Sequence, residues 1–330
     1  MCTAVSFPQG DHYFGRTLDL DRSLGEQVVL TPRNYPFRFR MAGALERHHA
    51  LIGMALVREG CPLYYEAANE AGLAMAGLNF PGNAHYTAPA PGRDNVASFE
   101  LIPWVLGQCA SAHQAQALLN RLCLTDTPFQ VDLPPAPLHW LVADREQALV
   151  VEQTREGLRV YPNPAMVLTN NPIFPTQMWN LNRYLNLTRE EPDNRFAPAL
   201  ELAPDCLGMG AVGLPGDLSS PARFVRAAFA RFNATPGRTE QERVTQFFHL
   251  LDTVAQTQGL ARAGRDGFER TVYACCCNTS RGWYYYVTYE NRQITRMGLD
   301  QADLEGRTPL AWPLAREQQL CLAPSPVPIS

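Results

Sequence analysis

The chain opens MCTAVSF (residues 1–7), with a cysteine directly behind the initiator methionine. Thr3, Val5 and Phe7 are residues that favour extended backbone, so the chain reads as a strand from its first residues. Cys2 is small, and a methionine before a small residue is the kind that processing removes. Removal of Met1 would leave a thiol and a free α-amine on one residue. An unperturbed α-amine has a pKa of about 7.7–8, suited to taking the thiol proton directly or through water. Nucleophile and base then coincide, with no need for a catalytic histidine or lysine. The plainer reading, a small residue beginning a strand, stays open on this residue alone.

The rest of the composition narrows the chemistry. With 330 residues and 46% hydrophobic content, the chain can bury a full core, and no composition break or long linker divides it, so one domain over 1–330 is expected. The formal charge of −4 leaves no basic excess to attract nucleic acid or an anionic membrane, which favours a small or amphipathic ligand. All 28 basic residues are arginine. Schiff-base, phosphate-loop and general-base lysines are therefore excluded, and the basic side chains supply fixed charge only. No stretch approaches the roughly 20 apolar residues of a membrane span, and Asp11, Arg16 and Asp19 interrupt the first twenty residues, so a cytoplasmic protein without membrane insertion is expected. Nine scattered cysteines make a poor disulfide framework and read as reduced, mostly buried thiols.

Along the chain, CTAVSF, HYFGRTLDL and QVVLTPR read as strands punctuated by Gly15 and Gly25. A helical region follows at 99–119, with Pro103 near its start and a second start at Ser111 and Gln114. After LPPAPL (133–138), the segments HWLVADR, ALVVEQTR and LRVYPNPAMVLTN predict consecutive strands of a second sheet. Helices are predicted at 219–232, opened by Ser219, Ser220 and Pro221, and at 239–255, opened by the capping box Thr239–Glu242. Residues 271–298 read as a β-meander. Strands and helices in separate runs, without βαβ alternation, predict α+β layers.

Three motifs are set aside. Gly208, Gly210 and Gly213 spell G-x-G-x-x-G, but ELAPDC before them and LPGD after them supply neither strand nor helix, so a glycine-rich loop beside the site is expected. Cys275, Cys276 and Cys277 would alternate faces in a strand and lack ligand spacing, which reads as packed thiols. His12, His48, His49, His85, His113, His139 and His249 form no ligand-like set, and each reads as a surface or packing residue. No metal or cofactor is implied.

Taken together, CTAVSF, YFGRTLD (13–19), NEAGLAMAGLNFPG (69–82), LTNNP (168–172) and GLPGDLSSPARF (213–224) resemble the choloylglycine hydrolase family, which includes bile salt hydrolases and penicillin V acylases. The resemblance runs end to end, through ALVVEQT and YYYVTYENRQI. It implies the N-terminal nucleophile hydrolase fold, a four-layer αββα sandwich, and activation by loss of Met1 alone. It also implies site roles. Cys2 is the nucleophile, Asp19 fixes its amine, and Arg16 sets the electrostatics around the thiolate. The Asn79 backbone N–H and the Asn170 side-chain amide form the oxyanion hole, and Arg223 completes the charged network. A cation in the first turn of a helix calls for a nearby anion, and Asp19 is the expected one. Asn171 departs from the serine more often found there among relatives, which bears on the pocket wall; Asn69 takes no catalytic role.

The asparagine of LNFP lies on the bile-salt side of the family, since the acylases often carry an aromatic residue there. The implied reaction is hydrolysis of a glycine- or taurine-conjugated bile acid through a thioester, with Leu18, Leu20, Leu24, Tyr64, Phe129 and Leu133 lining an apolar pocket. Penicillin V acylase is the alternative within the same chemistry. A metal- or redox-responsive cysteine protein is the alternative outside it. A homo-oligomer, a tetramer, is implied by the resemblance.

Overall fold

The computed structural model describes residues 1–326. Cys2–Gln9 and Asp11–Leu20 form a hairpin, closed at Gly10 with φ 79° and running in register from Cys2↔Leu18 to Gln9↔Asp11. The hairpin is the centre of a first sheet, in the order Val167–Leu168, Cys2–Gln9, Asp11–Leu20, Gly267–Asn278, Trp283–Thr288, Thr295–Gly298. The predicted meander thus pairs with the N-terminal strands, across nearly the whole chain.

The second sheet has eight strands, in the order Gly157–Pro162, Ala148–Thr154, Leu138–Ala143, Ala74–Asn79, Cys61–Asn69, Leu51–Arg58, Gln27–Thr31, Leu310–Pro313. Three central strands over residues 51–79 escaped the sequence reading. They are buried on both faces, so they lack the apolar–polar alternation that marks a half-exposed strand.

The sheets stack face to face, and helices cover both outer faces. Leu101–Gln108 and Ala112–Leu119 pack on the second sheet, Ser220–Asn233 and Glu240–Asp252 on the first, giving the α+β four-layer αββα sandwich. The helical region at 99–119 is two helices, broken where Cys109 takes an extended conformation. The second begins at Ser111, which accepts from the Gln114 N–H, while the Gln114 side chain takes the Ala110 N–H in place of that of Ser111, so the expected capping box is half formed. Ser219 caps the helix that carries Arg223, and the Thr239–Glu242 box is formed. None of the described residues forms a helix long and apolar enough to cross a membrane.

Gly15 does not punctuate a turn. It lies mid-strand, where a Cβ would sit 1.9 Å from the Cys275 carbonyl oxygen, so glycine is what allows this close approach.

His12 lies fully inside this frame, its Nε2 2.8 Å from Ser6 Oγ and its Nδ1 2.7 Å from Thr279 Oγ1. Burial holds its pKa down at about 4. Between about pH 6.5 and 4 the unfolded chain therefore binds a proton that the folded chain refuses, and folded stability falls as pH drops through that window, by about 3 kcal/mol at most from this group. Urea unfolding at pH 7 and pH 4.5 should show this loss, and it should shrink in a His12→Gln variant.

Candidate active site

Cys2 is only 3% exposed, and it sits where the N-terminal strand passes between the second sheet and the helix Ser220–Asn233. Side chains alternate across a strand, so Arg16 and Asp19, three residues apart in GRTLD, point to opposite faces. Arg16 turns toward the second sheet and Asp19 toward the helix layer. The nucleophile candidate is thereby flanked by a buried arginine on each side.

On the sheet side, Arg16 is fully buried and donates from Nη1 to the Gly77 carbonyl at 2.6 Å and the Tyr65 carbonyl at 3.3 Å. Its Nη1 lies 3.8 Å from Glu66 Oε2. Burial works to lower the Arg16 pKa, but attraction to Cys2, Tyr273 and Glu66 outweighs it, and the group stays charged. The Arg16 Nη2 has no hydrogen-bond partner, so one donor of the fork remains for a ligand or the thiol. Glu66 accepts from the Tyr273 and Tyr284 hydroxyls, each at 2.7 Å, and from Cys275 Sγ at 3.4 Å. Burial raises its pKa, opposed by Arg16 and these donors.

On the helix side, Arg223 spreads its guanidinium over three segments. Nη1 donates to the Cys2 carbonyl at 2.5 Å and to Thr3 Oγ1 at 2.7 Å, Nη2 to Asn170 Oδ1 at 2.8 Å, and Nε to the Leu218 carbonyl at 3.2 Å. Burial lowers its pKa, and Asp19 supplies the largest opposing attraction. Asp19 attracts Arg223 from beyond direct hydrogen-bonding contact. Its own pKa is raised by burial, against the pull of Arg223 and the chain's amino terminus.

Asn170 takes a task that the motif did not imply. Its Oδ1 accepts from the Cys2 N–H at 2.8 Å as well as from Arg223, and its Nδ2 donates to the Asn79 carbonyl at 2.7 Å. Two obligate donors on Oδ1 fix the orientation of the amide. One Nδ2 hydrogen is engaged, leaving the second. The Asp19 carboxylate does not hold the Cys2 nitrogen; it accepts from Thr271 Oγ1 at 2.7 Å and Thr17 Oγ1 at 3.3 Å, while Asp19's backbone carbonyl takes the Met1 amine at 2.6 Å. The Asn79 side chain is exposed. Its N–H lies on the strand edge of the Gly77 carbonyl that Arg16 takes, the edge facing away from Leu138–Ala143.

Among the six expected pocket residues, Leu18 is buried opposite Cys2, Leu20 is half-buried at the end of the same strand, and Leu24 is exposed on the following turn. Leu133 is half-buried in the turn that brings its carbonyl to the Phe129 N–H. Phe129 lies in that same turn, and Tyr64 lies elsewhere. Tyr64 packs in the core beneath the outer helices, sharing a 2.7 Å hydrogen bond with Thr31, and Phe129 sits edge-on to Phe99 with the Arg40 guanidinium over its ring. The cause for Tyr64 is a β-bulge. Met54 pairs Glu66 and Ala55 pairs Tyr64, so Tyr65 is an extra residue, and the faces switch there. Tyr65 and Glu66 both face the inter-sheet side, and the buried Tyr65 hydroxyl lacks a partner. Tyr65 is the tyrosine next to Arg16 that alternation alone hid.

In the glycine-rich loop, Gly210 packs against the Thr188 and Glu190 carbonyls. Cys275, Cys276 and Cys277 are buried in their strand, and the described residues hold no group of three or more potential metal ligands.

A family model described as linear amide C–N hydrolases, choloylglycine hydrolase family, matches residues 2–312. The chain is 44% identical over 319 residues to the bile salt hydrolase/transferase of Lactiplantibacillus plantarum, covering 97% of this chain and 98% of the relative. It is 35% identical over 311 residues to that of Bifidobacterium longum, covering 92% and 97%. Among solved structures, the mutant C2A conjugated bile acid hydrolase from Clostridium perfringens superposes with a TM-score of 0.91 at 30% identity, covering 98% of this chain and 100% of that one. Penicillin V acylase from Agrobacterium tumefaciens gives 0.76 at 17% identity, covering 96% and 92%, a likeness of fold.

Arg223→Met should remove the cation that attracts Asp19 and leave four acceptors each short of one donor. The unfolding free energy from urea titration should drop by about 3–5 kcal/mol. Arg223→Lys should recover only part of it, because an ammonium does not reproduce the planar fork.

Proposed function

Because the chain belongs to the choloylglycine hydrolase family of linear amide C–N hydrolases, we propose that it hydrolyses glycine- or taurine-conjugated bile acids with Cys2, freed of Met1, as the nucleophile. The observation that carries this reading is Cys2 held between Arg16, Arg223 and Asn170, in a chain 44% identical across 97% of its length to a relative named for bile salts.

The Cys2 thiolate attacks the acyl carbon of the amide. The tetrahedral oxygen rests on the Asn79 N–H and the remaining Nδ2 hydrogen of Asn170, donors whose individual loss costs about 2.7–4 kcal/mol in the barrier. The Cys2 α-amine passes its proton to the departing amino acid, and a thioester remains. Water deprotonated by the same amine then releases the free acid. Asn170 is suited to this cycle because its Oδ1 orients the nitrogen that moves the proton. Arg16, which Cys2 attracts, has an unpartnered Nη2 to offer. Leu18, Leu20, Leu24 and Leu133, with Tyr65, supply the apolar wall for the steroid.

Amino-acid release from glycocholate, taurocholate and penicillin V, followed by mass spectrometry, tests the reading. Bile-salt cleavage that disappears in Cys2→Ala is expected. Cleavage of penicillin V alone would move the protein to the acylase branch, and no Cys2-dependent cleavage of the three would overturn the substrate assignment.

The reading extends to assembly and compartment. Leu185, Phe196, Leu207 and Val212 hold apolar side chains in solvent within one segment, Phe196 at 86% and Leu207 at 92% exposure, a patch suited to a second copy of the chain. A homo-oligomer, a tetramer, is expected by light scattering on a sizing column, and Phe196→Ser with Leu207→Ser should shift it to a smaller species. All nine cysteines are unpaired, in keeping with a reducing cytoplasm.

A further inference from the structure

The oxyanion-hole residues come from two loops, Asn79–Pro81 and Thr169–Pro172, and a buried ion-pair-like contact lies behind both. His139 and Glu152, on adjacent strands of the second sheet, are at most 1% exposed. His139 Nδ1 is 3.0 Å from Glu152 Oε1, and His139 Nε2 is 2.7 Å from the Thr169 carbonyl. A carbonyl only accepts, so Nε2 carries a hydrogen. The Nδ1–carboxyl contact needs a hydrogen of its own, on either partner, since otherwise two lone pairs would face each other. The pair therefore holds one shared proton and is net neutral.

Its connections lead to the oxyanion hole. Through Nε2 it holds the carbonyl of Thr169, the residue before Asn170. The imidazole also stacks on Phe80, the residue after Asn79, at 4.1 Å between centroids and 6° between planes. Glu152 accepts from the Phe174 N–H at 3.0 Å and so fixes the far end of the Asn170 loop. An apolar pair of similar volume would fill this space without the desolvation of two ionisable groups, so packing alone does not call for it. We propose that His139 and Glu152 are positioning residues, which act through Thr169 and Phe80 to hold the two oxyanion donors at their working separation. The inference rests on the catalytic reading above.

The test uses the full-length, Met1-processed enzyme and whichever of the three amides the parent cleaves fastest. Failure of the bile-salt assignment then appears in the parent, and failure of this inference only in the variants. His139→Phe and Glu152→Leu remove the polar connections, whereas Glu152→Gln keeps an acceptor for Phe174 and a donor for His139 Nδ1. Because a misplacement of about 1 Å costs on the order of 10²-fold, kcat should fall by about that factor in the first two, with KM little changed. Glu152→Gln should stay within about 10-fold of the parent in kcat, as expected of a variant that keeps the positions of both loops. The rate at which iodoacetamide alkylates Cys2 should be unchanged in all three. Unchanged kcat in folded His139→Phe or Glu152→Leu would overturn the inference. So would a parallel loss of Cys2 alkylation, or a Glu152→Gln variant as slow as Glu152→Leu. If the two apolar variants do not fold, His139→Asn decides: its shorter amide can reach Glu152 but not the Thr169 carbonyl, so kcat should fall by about 10²-fold, and an unchanged kcat would overturn the inference.

Discussion

The guanidinium of Arg223 is the contact on which the site depends. It binds the Cys2 carbonyl, the Thr3 hydroxyl and the Asn170 side chain together, and so joins the first strand, the loop after Leu168 and the helix Ser220–Asn233. Any shift of that helix would carry the Cys2 backbone and Asn170 with it. A cation near a helix start opposes the local dipole. Asp19 answers it from the neighbouring strand, and Ser219 caps the helix just before the arginine.

The second buried arginine repeats the logic with different partners. Arg16 is balanced by Glu66, and Glu66 is solvated by two tyrosine hydroxyls and a thiol in place of water. Each arginine is faced by a carboxylate whose pKa burial raises, so charges in a low-dielectric surrounding lie on both sides of Cys2. With no lysine in the chain, every fixed cation at the site is one that stays protonated across the working range.

Much of this was legible in sequence because it was local. The N-terminal strand, the Thr239–Glu242 box, the helix opened by Ser219 and the motifs carrying Cys2, Arg16, Asp19, Asn170 and Arg223 each occupy a few adjacent residues. Long-range effects were not legible. Tyr64 was expected at the pocket on a loop, but it lies in a strand, where one inserted residue turns its face away. Gly15 reads as a turn until the Gly267–Asn278 strand is seen to need its missing Cβ. Glu66 could have been found: a carboxylate inside CPLYYEAAN must have a cationic partner, and arginine was the only type available. The role of Asn170 as holder of the Cys2 nitrogen could not, since it depends on which amide atom faces Arg223.

On the reading proposed above, the site would be completed by the loss of Met1. Met1 extends the first strand by one residue: its carbonyl accepts the Asp19 N–H at 2.9 Å, and its amine meets the Asp19 carbonyl and Glu269 Oε2, each at 2.6 Å. Its removal would free one donor and two acceptors around the Cys2 nitrogen. These groups would give the new amine polar partners on the side away from Asn170. Asn170 holds the Cys2 nitrogen while it is an amide, so a base formed there by loss of Met1 would already be aligned. The constellation is therefore preorganised by contacts that do not involve the residue to be removed.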